Sequence, residues 1–293
     1  MVPGAPHAGG VIRLEDGRRL GYVEWGKGDA EPVFHFHGSP AGRLERWGED
    51  SVLARHGVRL ITTDRPGIGF SDRQRGRRVI DWPDDIRQLA DHLGLDRFGV
   101  IGFSAGAAYA AACASRLADR LVGAALVSSV GRIDERGVDG MGTARYLNLA
   151  RRAPWAMRLI YTALAWQARR NPARAHEQFW RGVSSVDRAV VDRPAVRARY
   201  WPALTDAARG RGRGLVDEMR TLQRPWGFDP AQIAIPIHLF HGTADRMTPP
   251  SHAEYWIEIL ADCDIRSYED EGHFLIEDHM EEILGTVVRS ALG

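Results

Sequence analysis

The chain has 293 residues, room for two ordinary domains or for one large domain with an insertion. Hydrophobic residues make up 44% and charged residues 26%, the balance of a soluble globular protein and not of a disordered or fibrous one. Thirty-nine basic against 38 acidic residues leave a formal charge of +1, which removes the electrostatic reason to expect a nucleic-acid partner; no run of ~20 apolar residues is present to span a membrane.

The opening MVPGAPHAGG has neither the basic start nor the apolar stretch of a secretory signal, and residues 1–10 read as a flexible tail. Residues 11–25 alternate on both sides of Asp16-Gly17, the pattern of a β-hairpin. Short apolar runs follow: PVFHFHG, VRLITTD, RFGVIGFS, LVGAALVSS and IPIHLFHG, each ending in glycine, serine or aspartate. Continuous apolarity, in place of alternation, predicts strands covered on both faces. Residues 82–93 and 105–117 are helical stretches between them. The expectation is an α/β fold: a mostly parallel, doubly wound sheet opened by an antiparallel hairpin.

Residues 132–224 differ from the rest, with 19 arginines against nine acids and four of the nine tryptophans, a fifth, Trp226, following just beyond. They are rich in alanine and arginine, both good helix formers. The predicted division is therefore a tail at 1–10, a core at 11–131 and 225–293, and a helical segment at 132–224. Within it, RGRGRG at 209–214 reads as a solvated turn. Cys113 and Cys263 have no metal-ligand spacing and cannot make a disulfide framework, so they read as reduced thiols of a cytoplasmic protein.

The chemistry concentrates at strand ends. Gly102-Phe103-Ser104-Ala105-Gly106 lies between an apolar run and an alanine-rich helix, the setting of a nucleophile elbow. Its glycines answer a lack of space in a sharp turn, and the helix start aims N–H groups at charge forming beside Ser104. A serine hydroxyl needs a base, and the base needs an orienting acid. In this architecture the order is serine, acid, histidine. Asp245 follows the run ending HGTAD, and His273 follows a short strand at 265–268. After the strand at 33–36, His37-Gly38-Ser39-Pro40 forms a loop able to turn the Ser39 N–H toward Ser104; with the Ala105 N–H it completes a two-donor oxyanion hole. His37 reads as a structural residue bonding the backbone. His35 reads as packed on the same face, and His238 and His241 as satisfied core residues. His92, His252 and His279 read as exposed on helices. No histidine pair has metal spacing, and no metal is expected.

HGSP, DRPGIGFSD, GFSAG, HGTAD and EGHF, in this order, resemble the α/β-hydrolase superfamily over everything from Val11 onward except the middle segment. The resemblance implies a Ser104–Asp245–His273 triad with Ser39 and Ala105 as oxyanion donors, and a structural Asp64. LVGAALVSS ends without an acid, so the position some relatives use for the acid is empty, which supports Asp245. Serine at the elbow argues against the carboxylate attack of haloalkane dehalogenases and epoxide hydrolases, and HGSP and Ala105 depart from the proline iminopeptidase pattern. Residues 132–224 fall where relatives insert a helical cap. The rings of Trp155, Trp166, Trp180 and Trp201 are either helix–helix core or walls of a dry pocket above Ser104.

The expected function is that of a serine hydrolase cleaving a carboxylic ester or lactone of a small to medium apolar molecule. It needs no cofactor, and its partner is a small-molecule substrate. The same residues would also serve hydrolysis of a carbon–carbon bond in a β-diketone, and the scaffold would serve a non-catalytic small-molecule receptor.

Overall fold

Residues 8–131, 133 and 140–289 are described here from a computed structural model. Eight strands form one sheet: β1 (Ala8–Arg13), β2 (Arg19–Trp25), β3 (Glu31–Phe36), β4 (Val58–Thr63), β5 (Phe98–Phe103), β6 (Leu121–Val127), β7 (Ile237–Gly242) and β8 (Cys263–Tyr268). Their order across the sheet is β1-β2-β4-β3-β5-β6-β7-β8. β2 runs antiparallel to both of its neighbours, and every other pairing is parallel. Each apolar run read from the sequence is one of these strands. The opening hairpin turns at Gly17, as expected, but its first strand starts at Ala8. Residues 8–10 pair with Glu24, Val23 and Tyr22, so they belong to the sheet and not to a tail; residues 1–7 lie outside the described residues.

Helices cover both faces, which is why the central strands are apolar throughout. One face carries α2 (Trp82–His92) and α3 (Gly106–Arg116), with Trp82, Ile86, Leu89, Ala108 and Ala111 buried against Phe34 and Val100. The alanine-rich sequence of α3 suits this position, because small side chains bring its backbone close to β5. α2 starts with Pro83 in its first turn, followed by Asp84 and Asp85, both favourable at a helix N-terminus. The opposite face carries α1 (Asp50–Arg55) and the C-terminal helix, which bury Val52, Leu53, Ile283, Leu284 and Val287 against Val33, Leu60 and Ile101.

Among the described residues, six α-helices intervene between β6 and β7: α4 (Ala144–Arg152), α5 (Pro154–Arg170), α6 (Pro172–Phe179), α7 (Ser185–Val191), α8 (Pro194–Ala207) and α9 (Arg213–Leu222). α10 (Ser251–Ile259) follows β7, and α11 (Ile276–Arg289) closes the chain. Both hydrophobic clusters continue into the insertion. One takes in Leu147, Met157, Tyr161, Leu215 and Met219, and the other takes in Trp180, Tyr200, Trp201 and Leu204. RGRGRG is only partly the solvated turn expected. Gly212 and Gly214 are buried, α9 begins at Arg213, and Gly214 lies against the Gly67 backbone.

Candidate active site

Ser104 stands at the tip of the turn from β5 into α3 with φ of 53°, a left-handed conformation that costs a residue with a side chain ~1–2 kcal/mol. The turn is held by the Ser104 N–H donating to Val127 O at 2.9 Å and by the Ala107 N–H donating to Ser104 O at 3.1 Å. Its glycines are required by space: a Cβ on Gly106 would sit 2.0 Å from Phe36 O, and one on Gly102 would sit 2.6 Å from Gly106 O.

Two loops from neighbouring strand ends meet this serine. Ser104 Oγ lies 3.0 Å from His273 Nε2, and His273 Nδ1 lies 2.8 Å from Asp245 Oδ2. The other carboxylate oxygen accepts the Met247 and Thr248 N–H groups at 2.8 and 2.9 Å, which fixes the plane of the acid. Thr248 Oγ1 completes the setting, 2.8 Å from Asp245 Oδ2 and 3.0 Å from the Ser128 carbonyl. Burial alone would push the His273 imidazole down; the charge and hydrogen bond of Asp245, with the charges of Asp187 and Glu45, outweigh it, and the net shift is upward. Asp245 shows the converse. Its burial favours the neutral acid, but His273 and the other donors hold its pKa below the ordinary carboxylate value.

The loop after β3 is built as tightly. Glu45 Oε1 accepts the Gly38 N–H at 2.8 Å and faces His35 Nε2 at 3.1 Å. Buried Arg65 donates to His37 O at 2.7 Å and Gly38 O at 3.2 Å, and pairs with Glu218 of α9. His37 Nδ1 lies 2.7 Å from the Gly38 carbonyl; burial and the Arg65 charge hold this imidazole well below its usual pKa, as suits a residue that shapes the loop. Among the described residues, no hydrogen bond uses the Ser39 or Ala105 N–H. Asp64 is fully buried and accepts from the Arg43 and Phe70 N–H groups, each at 2.8 Å.

The profile of the alpha/beta hydrolase fold family matches residues 31–280. The chain belongs to this family. It is 26% identical over 279 residues to the non-heme chloroperoxidase of Streptomyces lividans, covering 93% of this chain and 95% of that one. Among solved structures, it resembles the enol-lactonase from Burkholderia xenovorans with a TM-score of 0.69 and 20% identity, over 97% of this chain and all of that one. An esterase from Exiguobacterium antarcticum gives a TM-score of 0.67 and 19% identity, over 98% of this chain and all of that one. These two likenesses concern the fold.

In this α/β hydrolase the insertion reaches the histidine loop through α6, α7 and α8. Phe274, next to His273, packs edge-on against Trp180 at 5.2 Å between ring centroids and also meets Phe103 and Trp47. Trp180 and Trp201 are buried, as a wall or core position requires. Trp155 and Trp166 are not: they are 66% and 56% exposed, and the expectation that they line a pocket is corrected. α5 is apolar on two sides, and it turns Met157, Tyr161, Ala165 and Ala168 inward instead.

Several residues of the site carry no motif. Asp187, fully buried on α7, accepts the Phe274 N–H at 3.2 Å, and its carboxylate occupies the space where a Cβ on Gly272 would stand, at 2.3 Å. Ser128 directly follows β6, where LVGAALVSS carries no acid, and its hydroxyl donates to the His273 carbonyl at 2.8 Å. His252, expected to be exposed, is buried and accepts the Gly131 N–H. Among the described residues, no group of three histidine, cysteine or acidic side chains is arranged to hold a metal ion.

Proposed function

We propose that the chain is a serine hydrolase that cleaves a carboxylic ester or a lactone of a small to medium apolar molecule. The observation that carries this reading is the unbroken line of hydrogen bonds from Asp245 through His273 to Ser104. His273 Nε2 takes the Ser104 proton as Oγ attacks the carbonyl carbon, while Asp245 keeps the second imidazole proton on Nδ1 and stabilises the cation. The oxyanion is received by the Ser39 and Ala105 N–H groups, which have no other partner among the described residues. His273 returns the proton to the departing alcohol oxygen, and water attacks the acyl-enzyme by the same route to release the acid. No cofactor enters this scheme. Helices α4 to α9 act as a cap, within the predicted segment 132–224, and Trp180 and Trp201 contribute to its apolar underside. The free thiols Cys113 and Cys263 support a cytoplasmic location.

Carbon–carbon bond hydrolysis of a β-diketone acid would call for cap arginines free to hold the substrate carboxylate. Arg193 and Arg199, the insertion's arginines that reach the start of α11, are instead tied to Asp278 and Glu277. The test compares labelling by a fluorophosphonate, and turnover of short aryl esters, in the wild type and in Ser104→Ala. Labelling and turnover confined to the wild type are expected. Labelling without ester turnover would move the assignment to the β-diketone reaction, and no labelling at all would favour a receptor.

A further inference from the structure

The outer face of α5 carries apolar surface that neither the core nor the site uses. Trp155, Leu159, Ile160 and Trp166 are 66, 62, 41 and 56% exposed. Trp155, Leu159 and Trp166, four and seven positions apart, share one face of the helix, opposite Met157, Tyr161 and Ala168, which already bury the inner face, and Ile160 lies between the two faces. Large side chains grouped on one exposed helix face are uncommon on a protein surface that meets only water.

Their surroundings are basic. From residue 140 to residue 176 the chain has seven arginines and no aspartate or glutamate. Arg151 and Arg152 stand at the end of α4, Arg169 and Arg170 at the end of α5, and Arg174 in α6. Among the described residues, none of Arg152, Arg158, Arg169, Arg170 and Arg174 makes an ion pair; Arg170 instead lies over the Trp166 ring at 4.4 Å. Pairing between insertion and core does not consume this charge. Among the described residues, the ion pairs joining them are Arg43–Asp206, Arg65–Glu218, Arg73–Asp217, Arg193–Asp278 and Arg199–Glu277, all beyond α6 or using insertion acids.

We infer that this face of α5 docks on an anionic lipid surface. A helix of 17 residues is about 25 Å long, so the arginines at its two ends would reach phosphates on either side of a buried apolar strip. Tryptophan suits the boundary between headgroups and acyl chains, where its ring is buried and its N–H stays hydrated. A second copy of this chain fits badly, because two arginine-rich faces without acids would repel. A folded acidic protein would need a groove shaped to this helix, whereas a lipid surface yields to it. The inference does not depend on the reaction proposed for the site, and no helix among the described residues is long and apolar enough to cross a membrane.

The test is co-sedimentation of the full chain with vesicles of phosphatidylcholine, alone or mixed with phosphatidylglycerol, together with tryptophan emission. Binding to the mixed vesicles only, with a blue shift in emission, is expected. Trp155→Ser/Trp166→Ser should lose most of the binding, and Arg169→Gln/Arg170→Gln should weaken it about fivefold per arginine. Circular dichroism melts of each variant check that the fold is retained. The inference is overturned if neither vesicle is bound, or if folded Trp155→Ser/Trp166→Ser binds like the wild type. Binding to soluble polyglutamate as strong as to vesicles, without a blue shift, would overturn it in favour of an acidic protein. Self-association that the tryptophan variant abolishes, without vesicle binding, would overturn it in favour of a dimer.

Discussion

At the scale of single residues, the proposed chemistry depends on which imidazole form is present. A general base must be neutral, and the surroundings of His273 raise its pKa above the ordinary 6.5. As pH falls through that raised value the imidazole is protonated, so kcat/KM is expected to fall with an acid limb above 6.5. Asp245→Asn should move that limb to lower pH and cut kcat by orders of magnitude, since it removes both the counter-charge and the tautomer control. Asp187→Asn should also lower the limb, because its charge contributes to the shift, while keeping a hydrogen-bond acceptor for the Phe274 N–H. A pH profile that does not move in Asp187→Asn would leave this residue a merely structural support. His273→Ala combined with Ser104→Ala should be no slower than either alone, because the two act as one unit; steady-state rates on an aryl ester decide this.

At the scale of elements, the Arg65–Glu218 pair links the loop after β3 to α9 with both groups out of water. Arg65→Met strands the Glu218 carboxylate and two loop carbonyls, and should cost ~3–5 kcal/mol in a urea titration. Adding Glu218→Leu should recover part of that loss, since a buried pair replaced by apolar groups no longer leaves a lone charge. Turnover should stay depressed in the double variant, because His37 O and Gly38 O still lack their donor and the loop that carries the Ser39 N–H, the proposed oxyanion donor, loses that support. The more exposed Arg73–Asp217 pair ties α9 to the segment after β4 and should be worth under ~1 kcal/mol.

At the scale of the whole molecule, the insertion is continuous with the core, since one hydrophobic cluster runs from Phe34 and Val100 in the sheet to Met157 and Tyr161 in α5. The insertion and the sheet are therefore expected to melt together. Near-ultraviolet circular dichroism, which follows the aromatic residues of both, should show a single transition coincident with the far-ultraviolet signal; two separated transitions would falsify this reading.

The fold and the hydrogen-bonded line at its centre were legible because they rest on local rules. Apolar runs ending in small residues form strands covered on both faces, and the ends of parallel strands collect loops at one rim, so Ser104, Asp245 and His273 could be named from their places after β5, β7 and β8. Asp187, Glu45 and Arg65 could not, because a buried charge has no local signature: Asp187 and Arg65 meet the two site loops and α9 across 27 to 153 positions, and although Glu45 meets Gly38 and His35 across only seven and ten, nothing in its own segment marks it as buried. Trp155 and Trp166 show the same limit from the other side. Helical periodicity marks both faces of α5 as apolar, and only the packing of Met157 and Tyr161 against the rest of the molecule decides which face is buried and which is left to water.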